Sequence, residues 1–152
     1  MKTIIFYLCI SVIASVSSCS ERGENSDAVY IETEEFAKLG LPFSQAVIYD
    51  DMIYVSGQVG DLQDTGELVE GGIAPETHQA LENIKNILEQ NGSSLENIIK
   101  CTCMLADISE WGSMSQEYMK FFPEHKPARS AFATNGLALG ARVEIECMAY
   151  ID

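Results

Sequence analysis

The sequence predicts an α/β domain in which two helices pack on one face of a mixed β-sheet. Short runs of continuous or alternating apolar residues indicate strands, and two longer stretches carry apolar residues at helical spacing. Along the chain these patterns follow the order strand, hairpin, helix, strand, helix and two strands, which is typical of helices that cover one side of a sheet. The 152 residues suffice for one such domain with its core.

The N-terminal half of the domain contains the predicted first strand and a predicted hairpin. Residues 28–32 form an apolar run that predicts the first strand. Two further apolar runs, 42–49 and 52–56, flank the acidic pair Asp50-Asp51, and we expect a hairpin with a two-residue turn there. Residues 59–72 contain glycine and aspartate at short intervals and are expected to form a loop.

Two segments carry the helical pattern. The first runs from Pro75, which suits the first position of a helix, to Asn91, where Asn-Gly favours its end. The second follows Asp107, which has a glutamate three residues later in the pattern of a capping box. Its apolar stripe is interpreted as core and comprises Trp111, Met114, Tyr118, Phe121 and Phe122.

The two most distinctive charged residues lie in or directly beside the predicted C-terminal strands. Residues 130–134 and 142–151 predict strands with turn signals between them, so we expect a hairpin-like return that brings Arg129 near Glu144. Residue types alone favour a surface salt bridge between these two side chains. The uncovered face of the sheet would still carry apolar side chains, which favours oligomerisation.

Charge and cysteine content restrict the possible partners. With 23 acidic and 9 basic residues, the net charge of −14 and the absence of a basic run argue against nucleic-acid binding. Cys101, Cys103 and Cys147 lie inside predicted strands and are interpreted as small apolar core residues rather than as a disulfide framework. Neither His78 nor His125 has ligand spacing to them, so no metal site is expected.

The first residues have the pattern of a targeting signal. Lys2 precedes an apolar stretch that is too short to span a membrane. The stretch ends in Val-Ser-Ser followed by Cys19, which resembles a bacterial lipobox, although an ordinary signal peptide would fit as well. These features predict a signal peptide over residues 1–18 and a lipidated Cys19 with a flexible tether over 19–27. The protein would then be exported and held on the cell envelope, facing the periplasm or the surface, with the lipid as its only membrane attachment.

Four segments identify a family resemblance over residues 28–152. They are Pro-Phe-Ser-Gln-Ala at 42–46, Tyr-Val-Ser-Gly-Gln at 54–58, Pro-Ala-Arg-Ser at 127–130 and Val-Glu-Ile-Glu at 143–146. This set resembles the RidA (YjgF/YER057c-type) reactive-intermediate deaminases. The resemblance implies a chorismate-mutase-like fold, a homotrimer with clefts between subunits, and no cofactor. It also implies hydrolysis of enamines and imines, such as 2-aminoacrylate and 2-imino acids, to 2-keto acids and ammonia.

The resemblance also assigns roles to individual residues. Arg129 would bind the substrate carboxylate through its planar fork, and Glu144 would orient water or transfer a proton. Ser56 and the backbone near Gly57 and Ala131 would hydrogen-bond substrate or water.

Three residues depart from the family pattern and leave a second function open. Phe43 stands where the family usually has tyrosine, Ser109 where it commonly has asparagine, and Ala131 where it commonly has cysteine. Loss of the tyrosine hydroxyl favours the alternative of a non-catalytic trimer that binds small carboxylates. RNA cleavage, a third activity ascribed to some family members, is disfavoured by the acidic charge.

Overall fold

The protein forms one six-stranded mixed sheet with its longer helices on one side. The structure is a computed structural model, and it describes residues 27–151. The strand order is β1-β2-β3-β6-β4-β5, with β4 and β5 parallel and all other neighbours antiparallel. The strands are β1 (Val29–Ile31), β2 (Ala46–Tyr49), β3 (Met52–Val59), β4 (Ile98–Leu105), β5 (Ala128–Ala133) and β6 (Val143–Tyr150). The α-helices are α1 (Glu34–Lys38), α2 (Ile73–Gln90) and α3 (Trp111–Tyr118). The predicted α/β class and mixed sheet are confirmed.

The core lies between the sheet and helices α2 and α3. Leu81, Ile84 and Leu88 of α2 are fully buried, as the helical spacing of apolar residues requires. They pack against the alternate residues of β4 and β6 that point to the same side of the sheet. The cysteines of these strands are buried in this layer and unpaired, so their interpretation as core residues is confirmed.

Helix α2 begins earlier than the sequence indicated. Ile73 is its first residue, which puts Pro75 at the third position instead of the first. Proline is tolerated there because the amide groups of the first turn have no partner inside the helix. Gly71 and Gly72, with φ of 108° and 88°, supply the backbone conformation that the sharp entry needs.

The expected hairpin between the last two strands is wrong. β4 lies between β5 and β6, pairing in parallel with β5 and antiparallel with β6. The chain between β4 and β5 contains α3, which provides the crossover that parallel strands need. Turn signals between β5 and β6 indicated a reversal of the chain but carried no information about the strand between them.

The apolar stripe of α3 is not entirely core, contrary to the sequence interpretation. Met114, Tyr118 and Phe122 are buried, whereas Trp111 is 46% exposed. Trp111 therefore lies at the margin of the core, and its ring contacts the guanidinium group of Arg129.

The opposite face of the sheet has no helix over it within residues 27–151. Its exposed apolar side chains include Tyr54 of β3, Phe132 of β5, and Met148 and Tyr150 of β6. We call this surface the open face. No helix within the described residues is long and apolar enough to cross a membrane.

Candidate functional site

Arg129 lies on β5 and points towards α3. Its Cα pairs with that of Cys101, whose side chain faces the helices, so Arg129 is on the helix side of the sheet. Nη2 donates a hydrogen bond of 2.9 Å to Ser115 Oγ. The guanidinium carbon lies 5.4 Å from the ring centre of Trp111 and 4.7 Å from that of Tyr118, within the range of cation–π attraction.

Arg129 has no carboxylate partner in the part of the chain that the structure describes. The ion pairs found there join other cations to acids, and Arg142, the other arginine of the domain, is paired with Glu110. This is notable because acidic residues outnumber basic ones 23 to 9 in the whole sequence. The predicted salt bridge between Arg129 and Glu144 is absent from these pairs. A half-buried arginine supported only by neutral groups is free to accept a planar anion.

Glu144 lies on β6 and belongs to the open face. Its Cα pairs with that of Met104, whose neighbours Cys103 and Leu105 point to the core. Partial burial raises the pKa of the Glu144 carboxyl group, and the nearby charge of Glu146 raises it further. The side chain is thus suited to exchange a proton closer to neutral pH than an exposed glutamate does.

Gly57 makes the room that the Glu144 carboxylate occupies. A Cβ atom at Gly57 would lie 2.0 Å from Glu144 Oε1, which is far inside contact distance. The pairing of β3 with β6 is irregular between Val55 and Gln58, and Gly57 lies within that bulge. Glycine is needed here for the close approach of a side chain.

Ser56 ties this bulge to the segment before β2. Its Oγ donates a 2.7 Å hydrogen bond to the carbonyl of Ser44, and its amide donates to the carbonyl of Gln45. The Ser56 hydroxyl proton is therefore already committed, and its oxygen remains able to accept. Phe43 precedes this segment, is 47% exposed and packs edge-on against Phe36 with ring centres 5.8 Å apart.

The remaining two candidate residues are Ala131, which lies on β5, and Ser109, which lies in the turn before α3. Ala131 is half-buried on β5, two residues beyond Arg129 and on the same side of the sheet. Ser109 is exposed in the turn before α3, where its amide donates a hydrogen bond of 2.8 Å to Asp107 Oδ1. The Asp107 side chain thus accepts from the amide two residues later and not from the amide of Glu110, three residues later. The capping box expected with Glu110 is therefore replaced by a simpler cap.

Within one chain the candidate residues form two separate groups. Arg129 and Ala131 are on the helix side of edge strand β5, whereas Glu144, Gly57 and Ser56 surround the bulge of β3 and β6. With β4 between β5 and β6, two strand spacings of about 4.8 Å separate the backbones, and the side chains point to opposite faces. A small organic acid cannot bridge them through the sheet.

The sequence interpretation missed the residues that support Arg129. Trp111, Met114, Ser115 and Tyr118 recur at the spacing of one helix face, and all four contact the guanidinium group. A serine inside an otherwise apolar stripe was the available signal, because a polar group at a core-facing position needs a partner.

Fold and site together define a class of protein. The α/β sheet carries one cation suited to hold an organic acid and one carboxyl group suited to exchange a proton. A family model described as Endoribonuclease L-PSP matches residues 35–151. The chain belongs to this family, which includes proteins named RidA and YjgF. The family resemblance drawn from the sequence is therefore confirmed.

Curated relatives and solved structures agree with this assignment. A human 2-iminobutanoate/2-iminopropanoate deaminase is 43% identical over 71% of this chain and 79% of its own length. Reactive Intermediate Deaminase A, chloroplastic, from Arabidopsis thaliana is 36% identical over 89% of this chain and 70% of its own. A Rid-family protein of unknown function from Yersinia pestis has a TM-score of 0.76 at 35% identity, covering 82% of this chain and all of that one.

The relatives contradict the predicted location on the cell envelope. One relative is named as a chloroplastic protein, and none of the names of the relatives reported above refers to a cell envelope or a membrane anchor. The expectation of an exported, lipid-anchored protein is therefore wrong. It depended on a short apolar run and four following residues, a pattern with little specificity. The proposed signal peptide, the lipidation of Cys19 and most of the tether fall outside residues 27–151.

Proposed function

We propose that the protein hydrolyses 2-imino acids, and the enamines that tautomerise to them, to 2-keto acids and ammonia. The relatives named 2-iminobutanoate/2-iminopropanoate deaminase support this reaction at 43–44% identity. The observation that carries the proposal is Arg129, a half-buried cation without an acidic partner among the described residues of an acidic chain. Every 2-imino acid offers the carboxylate that such a group binds.

Arg129 would bind the substrate by its carboxylate. The planar guanidinium fork donates two parallel hydrogen bonds to the two carboxylate oxygens, which also fixes the orientation of the adjacent C=N carbon. The imine is reactive towards water by itself, so positioning of its carbon supplies a large part of the acceleration.

Glu144 would handle water and protons. Its carboxylate accepts a proton from the attacking water as the C–O bond forms and the C=N electron pair moves to nitrogen, and it returns this proton to the nitrogen to give a carbinolamine. Glu144 then transfers the proton of the carbinolamine hydroxyl group to the same nitrogen, so that the C=O bond of the keto acid forms as the C–N bond breaks and ammonia leaves. The raised pKa of Glu144 suits a group that must both accept and release a proton in one cycle.

The separation of Arg129 from Glu144 within one chain supports a site made by two copies. We infer a homotrimer in which Arg129 of one copy faces Glu144, Ser56 and Gly57 of a neighbouring copy. The exposed apolar side chains of the open face support such an assembly, since burial of this surface would stabilise it.

A non-catalytic protein that binds small carboxylates is the second candidate. Phe43 favours it, because this half-exposed ring has no hydroxyl group that could bind a water molecule or substrate. In that case Arg129 would still bind an acid, but Glu144 would have no role in turnover.

Turnover of 2-iminopropanoate distinguishes the two candidates. An amino-acid oxidase generates the imine from alanine, and its disappearance is followed with and without the protein. We expect the wild type to accelerate hydrolysis and Arg129→Ala to lose at least about 100-fold in kcat/KM. Lys126→Ala, which removes an exposed cation three residues away, should behave as the wild type. Binding of 2-oxobutanoate without any acceleration by the wild type would favour the binding protein instead.

A further inference from the structure

One face of α3 forms a cradle around the Arg129 guanidinium group. Trp111, Met114, Ser115 and Tyr118 occupy positions i, i+3, i+4 and i+7, which lie along one side of a helix. We call these four residues the α3 cradle. Two of its members, Met114 and Tyr118, are buried and belong to the core, so the cradle is anchored to the rigid part of the domain.

The aromatic members hold the guanidinium group but leave its rotation undetermined. A ring attracts the cation through its π face, and this attraction changes little as the planar fork turns about its own axis. Trp111 is 46% exposed, so its contact with Arg129 is also the part of the cradle nearest to solvent.

Ser115 supplies the directional contact. Its Oγ accepts the 2.9 Å hydrogen bond from Arg129 Nη2 and is largely buried on the core side of α3. The only other polar contact in the cradle is Nη1 to Met114 Sδ at 3.9 Å, and a thioether is a weak acceptor. The serine hydroxyl therefore decides which N–H groups of the fork stay available.

A preset fork matters because of where Arg129 lies. Arginine has a long side chain with a large rotamer entropy, and β5 is the edge strand of the described sheet, so Arg129 has a neighbouring strand on one side only. Restriction of the guanidinium group before the ligand arrives removes part of the ordering cost from the binding step.

We propose that Ser115 and Trp111 are positioning residues that set the orientation of Arg129 for binding a substrate carboxylate. This rests on the proposed function of Arg129 as a carboxylate anchor. Neither residue touches the reacting atoms. Their loss therefore weakens binding of the acid and leaves the chemical step nearly unchanged.

Kinetics of Ser115 variants test the hydrogen bond. Ser115→Ala is expected to raise KM for 2-iminopropanoate about 10-fold and to change kcat by less than about 2-fold, because the lost bond involves a charged donor. Ser115→Thr keeps a hydroxyl and should restore most of the affinity. Ser113→Ala is the matched control, since Ser113 is exposed on the same helix.

Variants of Trp111 test the aromatic contact independently. Trp111→Phe keeps a ring over the cation and should stay within about 2-fold of the wild-type KM, whereas Trp111→Leu should raise KM about 5-fold. Melting temperatures of all variants, measured in parallel, identify any that fail to fold. Equal KM for the phenylalanine and leucine variants would exclude the aromatic part of the proposal.

Equilibrium binding of 2-oxobutanoate separates failure of this inference from failure of the proposed reaction. The first outcome is that the wild type binds the keto acid without turnover and Ser115→Ala binds it about 10-fold less tightly. That outcome would support the positioning role of the α3 cradle and would contradict the proposed deaminase activity. If the wild type is an active deaminase and Ser115→Ala has wild-type KM and affinity, only the cradle is overturned. A loss confined to kcat in Ser115→Ala would also overturn it, since positioning of the carboxylate anchor acts on binding.

Discussion

At the scale of single residues, the two charged side chains are supported in opposite ways. The guanidinium group of Arg129 contacts aromatic rings and one hydroxyl group, and no carboxylate among the described residues, which leaves it available for an anion. Glu144 is half-buried near a second carboxylate, and both effects raise its pKa and disfavour its charged form. The first residue is suited to binding and the second to proton exchange, although both began as plausible partners in a salt bridge.

The raised pKa of Glu144 predicts opposite effects on activity and stability. A carboxyl group whose pKa is higher in the folded protein stabilises the fold below its unfolded pKa and loses that contribution as pH rises through the folded pKa. At pH 7 the ionised group is therefore unfavourable, so Glu144→Gln should melt at a higher temperature than the wild type, with the difference shrinking towards pH 4. The same variant should lose about 10²–10⁴-fold in kcat. Equal melting temperatures of the wild type and Glu144→Gln at pH 7 would contradict the conclusion that partial burial disfavours the ionised form of Glu144.

Glu146 offers a second test on the same strand. Because its charge raises the pKa of Glu144, Glu146→Gln should move the acidic limb of the pH–kcat/KM profile to lower pH. The ionised form of Glu144 would then persist further into acid, while kcat at pH 8 should stay near that of the wild type. A limb that does not move would mean that another group controls it.

At the scale of secondary-structure elements, one glycine in β3 and one directly after it serve different purposes. A Cβ at Gly57 would overlap the carboxylate at the end of the Glu144 side chain, whereas a Cβ at Gly60 would lie 2.5 Å from the Cα of Glu76 in the first turn of α2. Glu76 in turn accepts a 2.7 Å hydrogen bond from the amide of Arg142, just before β6. Gly60 thus concerns the packing of α2 on the sheet, and Gly57 concerns the site.

Alanine at these two glycines should separate function from stability. Gly57→Ala is expected to displace the Glu144 carboxylate and to reduce kcat about 100-fold, with a change in unfolding free energy below about 1 kcal/mol. Gly60→Ala should cost about 1–3 kcal/mol, because the backbone of α2 must move to relieve the overlap. Urea unfolding and single-substrate kinetics on both variants provide the measurement. A larger loss of stability at Gly57 than at Gly60 would reverse these assignments.

At the scale of the whole molecule, the proposed site requires more than one chain. Arg129 and Glu144 lie on opposite sides of the sheet with β4 between their strands. The open face carries the apolar side chains that an assembly would bury. An assembly of copies would therefore do two things at once: it would cover this face and bring complementary residues together.

Mixed assemblies test the division of the site between copies. Arg129→Ala and Glu144→Gln chains are each expected to be inactive alone, but random mixing of equal amounts should restore about one quarter of the wild-type activity per site. Each active site then takes its arginine from one variant and its glutamate from the other. Light scattering should give three chains per particle for all samples. No recovery after verified mixing would indicate that each site lies within a single chain.

The sequence alone determined the elements and the chemical character of the candidate residues. Periodicity placed α2 and the buried strand β4 because side-chain burial follows the local geometry of helix and strand. The four motif segments indicated the family and the arginine and glutamate of interest. Where sequence reasoning failed, the pattern was short and local, as in the envelope location inferred from residues before 27 and in the turn between β5 and β6.

The tertiary structure decided how these residues meet. The insertion of β4 between β5 and β6 depends on pairing between distant segments, which local turn signals do not encode. It separated Arg129 from Glu144, so the salt bridge expected from the sequence does not form within one chain. The support of Arg129 by α3 also became visible only in three dimensions. A helix stripe looks the same in sequence whether it faces apolar core or a guanidinium group, and only the fold brings that group to it.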